Sequence, residues 1–275
     1  MIRFEKLQGI GNDFVVVDLL APESGCDIDQ GPELAATLCN RRLGIGADGL
    51  IFLTKGEAAP FAMRMFNPDG SESEMCGNGL RCVAQMIRSH AHSEDPQVSI
   101  ETGAGILTAQ FLADGQIQIN MGRARLTRAE IGMIGPSEET FIEQPVGAGF
   151  TGTAVSMGNP HLVIFVPSVA AIDLPVQGPL LENHPLFPNR TNVHFIEVVD
   201  RDHLIQRTWE RGAGETLACG TGACASAVAA FLTGRANRQV KIKLPGGNLQ
   251  IDYQESAQVL MTGPAKLVYT GEYSP

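Results

Sequence analysis

Positive charge is scarce in this sequence. Its 275 residues carry 20 lysines and arginines against 30 aspartates and glutamates, a net charge of −10. No basic run or acidic tail concentrates either sign, which argues against nucleic acid and an anionic membrane surface as partners and favours a small-molecule ligand. Long apolar runs are missing too. The N-terminal residues lack the apolar stretch of a signal peptide, and no later segment is long enough to span a bilayer, so a soluble, cytoplasmic protein is expected. Cysteine is sparse: the six (Cys26, Cys39, Cys76, Cys82, Cys219, Cys224) are too few for a disulfide framework and should be thiols. They include no Cys-x-x-Cys pair, so no metal site is expected.

What is present is enough chain for one large domain or two moderate ones, each with its own core. Strands are predicted at residues 2–7, 14–18, 50–54, 61–66, 97–101, 106–111 and 116–121, where β-branched or alternating residues lie between turn formers. Helical spacing predicts helices over 32–42 and 80–88. Gly44-Ile45-Gly46-Ala47-Asp48-Gly49 has the letters of a dinucleotide fingerprint. It follows a helix and precedes a strand, the reverse of what that motif needs, so it reads as a glycine-rich turn. Residues 123–149 settle on neither period. The prolines at 175, 179, 185 and 188 predict a long irregular connection before a strand over 193–198.

The second half echoes the first. Gln97-Val98-Ser99-Ile100 has its counterpart 142 residues later in Gln239-Val240-Lys241-Ile242, and Gly105 and Leu107 have theirs in Gly247 and Leu249. Phe66-Asn67 stands before Cys76 as Trp209-Glu210 stands before Cys219. A duplicated unit of this length makes two similar lobes, not a solenoid. The expected division is 1–120 plus 265–275 for a lobe carrying Cys76 and 121–264 for a lobe carrying Cys219.

Each of these cysteines opens a small turn, Cys76-Gly77-Asn78-Gly79 and Cys219-Gly220-Thr221-Gly222, that runs into a helical segment. A helix N-terminus favours a thiolate, because unpaired N–H groups and the positive end of the dipole lie there. A matched pair of thiols suits inversion of a stereocentre, one removing a proton from one face while the other delivers a proton to the opposite face. The N–H groups of Gly77, Asn78, Gly220 and Thr221 can hold a substrate α-carboxylate as charge spreads into it.

These motifs resemble the diaminopimelate epimerase family. Gly9-Ile10-Gly11-Asn12-Asp13-Phe14, Phe66-Asn67-Pro68-Asp69-Gly70-Ser71, Cys76-Gly77-Asn78-Gly79-x-Arg81, Gly158-Asn159-Pro160-His161, Glu210-Arg211-Gly212-Ala213-Gly214-Glu215-Thr216 and Ala218-Cys219-Gly220-Thr221-Gly222 occur in the family's order. The resemblance implies an α/β (α+β) fold of two pseudo-symmetric lobes, each a mostly antiparallel, barrel-like sheet around a central helix, with the active site between them. It implies cofactor-independent epimerisation of LL-2,6-diaminopimelate to the meso form, with Cys76 and Cys219 as the acid/base pair. His161 and Glu210 would help exchange protons with the thiols. Asn12, Asn67, Asn159, Asn192, Glu210 and Arg211 would hold the substrate, and a homodimer is expected. Gly49 departs from the pattern, since some members have a substrate-contacting glutamine there.

The residues themselves fit that allocation. Arg211 offers a cation for a distal carboxylate, while Glu210 and the asparagines offer acceptors for a distal ammonium. None of Lys6, Lys55, Lys241, Lys243 and Lys266 sits beside a phosphate cradle, so no pyridoxal phosphate, and no other cofactor, is expected. A proline racemase-like enzyme is the alternative; it would keep both thiols without a distal clamp. His90, His92, His184, His194 and His203 receive no role.

Overall fold

A computed structural model describes residues 1–22, 24–73 and 75–274. Glu74, at the head of the first cysteine turn, and Pro275, at the end of the expected first lobe, lie outside the described residues. The chain forms two compact units, Met1–Asn120 with Thr262–Pro275 and Met121–Met261.

In the first unit the strands run Lys266–Tyr273, Ile2–Gly9, Asn12–Asp18, Gly49–Lys55, Phe61–Phe66, Gln97–Thr102, Gly105–Phe111 and Ile117–Arg123, each paired with the next. From Ile2–Gly9 to Gly105–Phe111 the pairings alternate antiparallel, parallel, antiparallel, parallel, antiparallel. The second unit repeats that alternation through Thr151–Ser156, Pro160–Phe165, Asn192–Val198, His203–Glu210, Gln239–Leu244 and Gly247–Tyr253. Register is repeated as well: Gln97 faces Gln110 and Thr102 faces Gly105, as Gln239 faces Asp252 and Leu244 faces Gly247. The offset of 142 read from the sequence is therefore a register of hydrogen bonds.

Parallel neighbours need a crossover, and helices supply it. In the first unit Gly31–Leu38 and Gly77–Ser89 make the crossovers, and in the second Leu174–Glu182 and Gly220–Leu232. The Gly77–Ser89 helix packs against five strands of its unit, and the Gly220–Leu232 helix does the same in its own. Ten residues of each are buried. The Gly220–Leu232 helix, built mostly of glycine, alanine and serine up to Val228, is apolar all round, as a helix enclosed by sheet must be. The fold is thus a mixed α/β architecture in which a largely antiparallel sheet curves about one central helix per unit.

Three expectations are corrected. The proline-rich connection is not irregular: it contains the short 3₁₀ turn Val169–Ala171 and the helix Leu174–Glu182, with Pro175 in the first helical turn, where its missing N–H costs nothing. Residues 123–149 hold the helix Arg128–Ile131, closed by a Thr127/Glu130 capping box, and the strand Gln144–Pro145, both too short for periodicity to reveal. The first helix ends at Leu38, not Arg42, because the Asn40 side chain accepts the Arg42 and Leu43 amides and turns the chain.

Candidate active site

Cys76 is the N-cap of the Gly77–Ser89 helix in extended conformation, and its sulfur accepts the Gly79 amide at 3.4 Å. The same sulfur lies 3.7 Å from Asn12 Oδ1, which also accepts Asn78 Nδ2 at 3.2 Å. Asn12 donates in turn to Asp48 Oδ2 at 2.7 Å, and Arg41 ties Asp48 to Asp13 at 2.8 and 2.6 Å. Asp13 also pairs with the buried Lys6 at 2.7 Å. Burial alone would raise the Asp13 pKa, but hydrogen bonds from Arg41 and Lys6 hold it below the usual carboxylate range. On its other side Asn78 accepts from the fully buried Arg81 at 2.8 Å, and Arg81 donates to Pro264 O at 3.2 Å. Glycine at position 9 leaves room for this guanidinium, since a Cβ there would lie 3.1 Å from it. Asn12 and Asn78 are thereby fixed around Cys76. Asn67, at the end of strand Phe61–Phe66, closes its own turn by donating to Ser71 Oγ.

Gly49 is buried in register opposite Phe14, the position that Asn192 occupies opposite His161 in the second unit. A Cβ at Gly49 would meet the Met65 methyl at 2.9 Å and Phe66 O at 3.1 Å, so this site has no room for a side chain without repacking.

Cys219 caps the Gly220–Leu232 helix and is 4 % exposed. Its thiol pKa is pushed well above the ordinary value, first by burial and then by the Glu210 carboxylate, while the Gly222 amide and Thr221 hydroxyl pull the other way. This corrects the expectation that a helix N-terminus makes both thiols acidic; here burial and a neighbouring carboxylate outweigh the dipole. Glu210 ends the strand His203–Glu210, at the position equivalent to Asn67, and accepts from the Thr216 hydroxyl.

His161 is wholly buried, with Nε2 2.9 Å from Asn159 Oδ1 and Nδ1 2.9 Å from Nε2 of His194. The amide oxygen only accepts, which puts the His161 proton on Nε2 and leaves Nδ1 to accept from His194. His194 Nδ1 then accepts from the Thr208 hydroxyl at 3.0 Å and from Gln206 at 3.3 Å. Both imidazoles are neutral: burial holds His161 well below its ordinary pKa, helped by His194 and Arg211, and brings His194 to about 3. Nitrogens of both rings and the Cys219 sulfur lie within 4.8 Å of one another. Gly222 makes the approach possible, since a Cβ there would stand 2.2 Å from His194 Cε1.

The Arg211 turn is held from below. Asn192, 4 % exposed, donates to Pro160 O at 2.9 Å and accepts the Arg211 amide at 3.0 Å, so both ends of its side chain are engaged with backbone. Glu182, at the end of the Leu174–Glu182 helix and 6 % exposed, accepts Trp209 Nε1–H at 2.7 Å, the Gly212 amide at 2.9 Å and Arg190 at 3.0 Å. The Arg211 guanidinium is exposed and donates to Asn189 O at 3.1 Å.

Asp48, Glu182, His194, Gln206 and Thr208 carry no functional expectation from the sequence. His194 had a signal: it lies two residues after Asn192 on a strand and so shares its face. Glu182, a lone acid among prolines, had none.

The family model for diaminopimelate epimerase matches residues 4–127 and 153–268. The chain belongs to the diaminopimelate epimerase family. Diaminopimelate epimerase of Moorella thermoacetica is 46 % identical over 280 residues, covering 99 % of both chains, and diaminopimelate epimerase 1 of a Nostoc species is 49 % identical over 98 % of this chain and 99 % of its own. Among solved structures, a phenazine biosynthesis protein of the PhzF family from Bacillus anthracis superposes with a TM-score of 0.73 at 19 % identity over 100 % of this chain and 99 % of its own. A probable proline racemase from Agrobacterium radiobacter gives 0.70 at 16 % over 100 % and 93 %. At such identities these two show a shared fold. Membership of the diaminopimelate epimerase family rests on the first two relatives and on the family match, which spans both cysteine turns.

Proposed function

We propose that this protein interconverts LL- and meso-diaminopimelate by a two-thiol mechanism without a cofactor. Full-length identity to diaminopimelate epimerases carries the reaction, and the two equivalent cysteine turns carry the chemistry. One thiolate removes the α-proton, and the other thiol protonates the carbon from the opposite face. The N–H groups of the first helical turns, with Gly77 and Asn78 on one helix and Gly220 and Thr221 on the other, stabilise charge in the α-carboxylate as the proton leaves. Because the reaction runs both ways, each cysteine is the base for one stereoisomer and the acid for the other, and burial beside Glu210 disfavours the Cys219 thiolate. Glu210 is the acceptor through which Cys219 regains or gives up its proton. His161, neutral and fixed by His194 and Asn159, orders the wall around Cys219. Arg211 and Glu210, with Asn67 and Asn159, hold the substrate, particularly its distal amino-acid end, while Asn12 beside Cys76 and Asn192 beneath Arg211 position those two residues. We further propose a cytoplasmic homodimer; the strand Lys266–Tyr273, with Leu267, Val268 and Tyr269 exposed, supports an association surface. Among the described residues no helix is long and apolar enough to cross a membrane.

The test compares turnover of LL-diaminopimelate with that of proline. A site with a cation and acceptors for a distal zwitterion should favour diaminopimelate over proline by at least about 100-fold, the loss expected when charge-assisted contacts are missing. Comparable turnover of proline would overturn the assignment in favour of a racemase without a distal clamp.

A further inference from the structure

At the far end of the Gly77–Ser89 helix from Cys76, three side chains converge on one point. Asp18 closes the strand Asn12–Asp18, His90 is the C-cap of the helix, and His92 follows in the next turn. Asp18 Oδ2 lies 2.8 Å from His90 Nδ1 and 2.7 Å from His92 Nε2, so both imidazoles direct an in-plane nitrogen at the same oxygen. The other carboxylate oxygen accepts the Leu20 amide at 3.0 Å, which fixes the plane of the group. The remaining nitrogen of His90, Nε2, is 2.9 Å from Glu5 Oε1. A cavity of about 480 Å³ opens beside the cluster, lined by Glu5, Asp18 and His90 together with Phe4, Met86 and Gly271.

We propose that Asp18, His90 and His92 form a binding site for a divalent transition cation of intermediate softness, such as Zn²⁺ or Co²⁺. Two imidazoles and one carboxylate are a common ligand set for such ions, and water from the cavity completes the coordination. An ion about 2.0–2.2 Å from each ligand atom takes the place where the two nitrogens now aim, with Asp18 Oδ2 giving way to it. Binding releases the proton from each coordinating nitrogen to solvent. His90 keeps its other proton on Nε2 and donates it to Glu5, the carboxylate–histidine–metal arrangement that orients a ligand ring and raises its basicity. Sequence spacing conceals the site, because its ligands come from a strand end and a helix cap 72 residues apart.

The ion would join two elements that also reach the Cys76 site: the strand beginning at Asn12 and the helix capped by Cys76. It is independent of the proposed reaction, which it neither supplies nor needs.

The test titrates Co²⁺ into the full chain with its thiols reduced, followed by calorimetry and visible absorption. One ion should bind per chain without sulfur-to-cobalt charge transfer, and Cys219→Ser should leave binding unchanged. Glu5→Gln should weaken it at least about tenfold, the lower bound for losing a supporting partner, and His92→Ala, which removes a ligand, by more. Affinity unchanged in either variant, or binding lost in Cys219→Ser, overturns the proposal. Should a variant fail to fold, imidazole NMR of the native chain with Zn²⁺ decides: the signals of His90 and His92 must move first, and shifts confined to His161 and His194 overturn the site.

Discussion

Replacing Glu182 by glutamine tests whether the Arg211 turn is held by one buried carboxylate. The native side chain accepts three hydrogen bonds, two of them, from Trp209 Nε1 and the Gly212 amide, in a part-buried setting. The third, from Arg190, is discounted because that side chain is 52 % exposed and solvent screens the pair. A glutamine oxygen can serve one of the two remaining donors, and its amide nitrogen must face the other. The loss is then one charge-assisted hydrogen bond and the desolvation of one unmatched N–H, about 2–3 kcal/mol. For a chain of this size each kcal/mol moves the thermal midpoint by about 2–4 °C, so a fall of about 4–12 °C is expected. The kinetic signature is distinct: Gly212 adjoins Arg211, so KM for diaminopimelate should rise about tenfold, equivalent to 1.4 kcal/mol, with a smaller change in kcat. Thermal unfolding and steady-state kinetics on one preparation read both. A midpoint within about 1 °C of native, together with unchanged KM, would refute the reasoning.

Other outcomes follow from the same packing and charges. Gly222→Ala puts a methyl 2.2 Å from His194 Cε1 in a closed interior, so a loss of at least about 1–3 kcal/mol and of most activity is expected, read by urea unfolding and turnover. Arg211→Met should raise KM for diaminopimelate by about 10–100-fold while leaving the fold intact, since its guanidinium is exposed; unchanged KM would remove it from the distal clamp. Stability should fall on acidification: His194 ionises at 6.5 when unfolded but only at about 3 when folded, so its contribution is complete above pH 6.5 and declines as pH drops toward 3. Between pH 6.5 and 5 this single histidine should cost about 2 kcal/mol, with His161 acting in the same direction. A urea midpoint constant over that interval would contradict the buried neutral pair.

The duplication was legible because its signals are local and repeat: alternating strands, glycine turns and an offset of 142 that reappears as strand register. The cysteine helices were legible for the same reason, since each begins at a turn of glycine and asparagine or threonine. The acidity of the thiols was not. A helix N-terminus is visible in sequence, whereas the burial of Cys219 beside Glu210 depends on how strand His203–Glu210 runs past the helix. Asn192 shows a related limit. Its presence could be read, but not that its amide is spent joining Pro160 to Arg211. The helix Leu174–Glu182 was hidden by its prolines, since one proline in the first turn and another inside it look like loop chemistry.

The central claim is that two different thiols handle the proton on either face of one carbon. Its most direct test is conversion of LL-diaminopimelate in deuterated water, sampled at low conversion with the α-positions of substrate and product analysed separately. Product should carry solvent deuterium at the inverted carbon while recovered substrate retains protium, because the proton leaves on one sulfur and the deuteron arrives from the other. Product that keeps the original protium, returned by a single base, would contradict it.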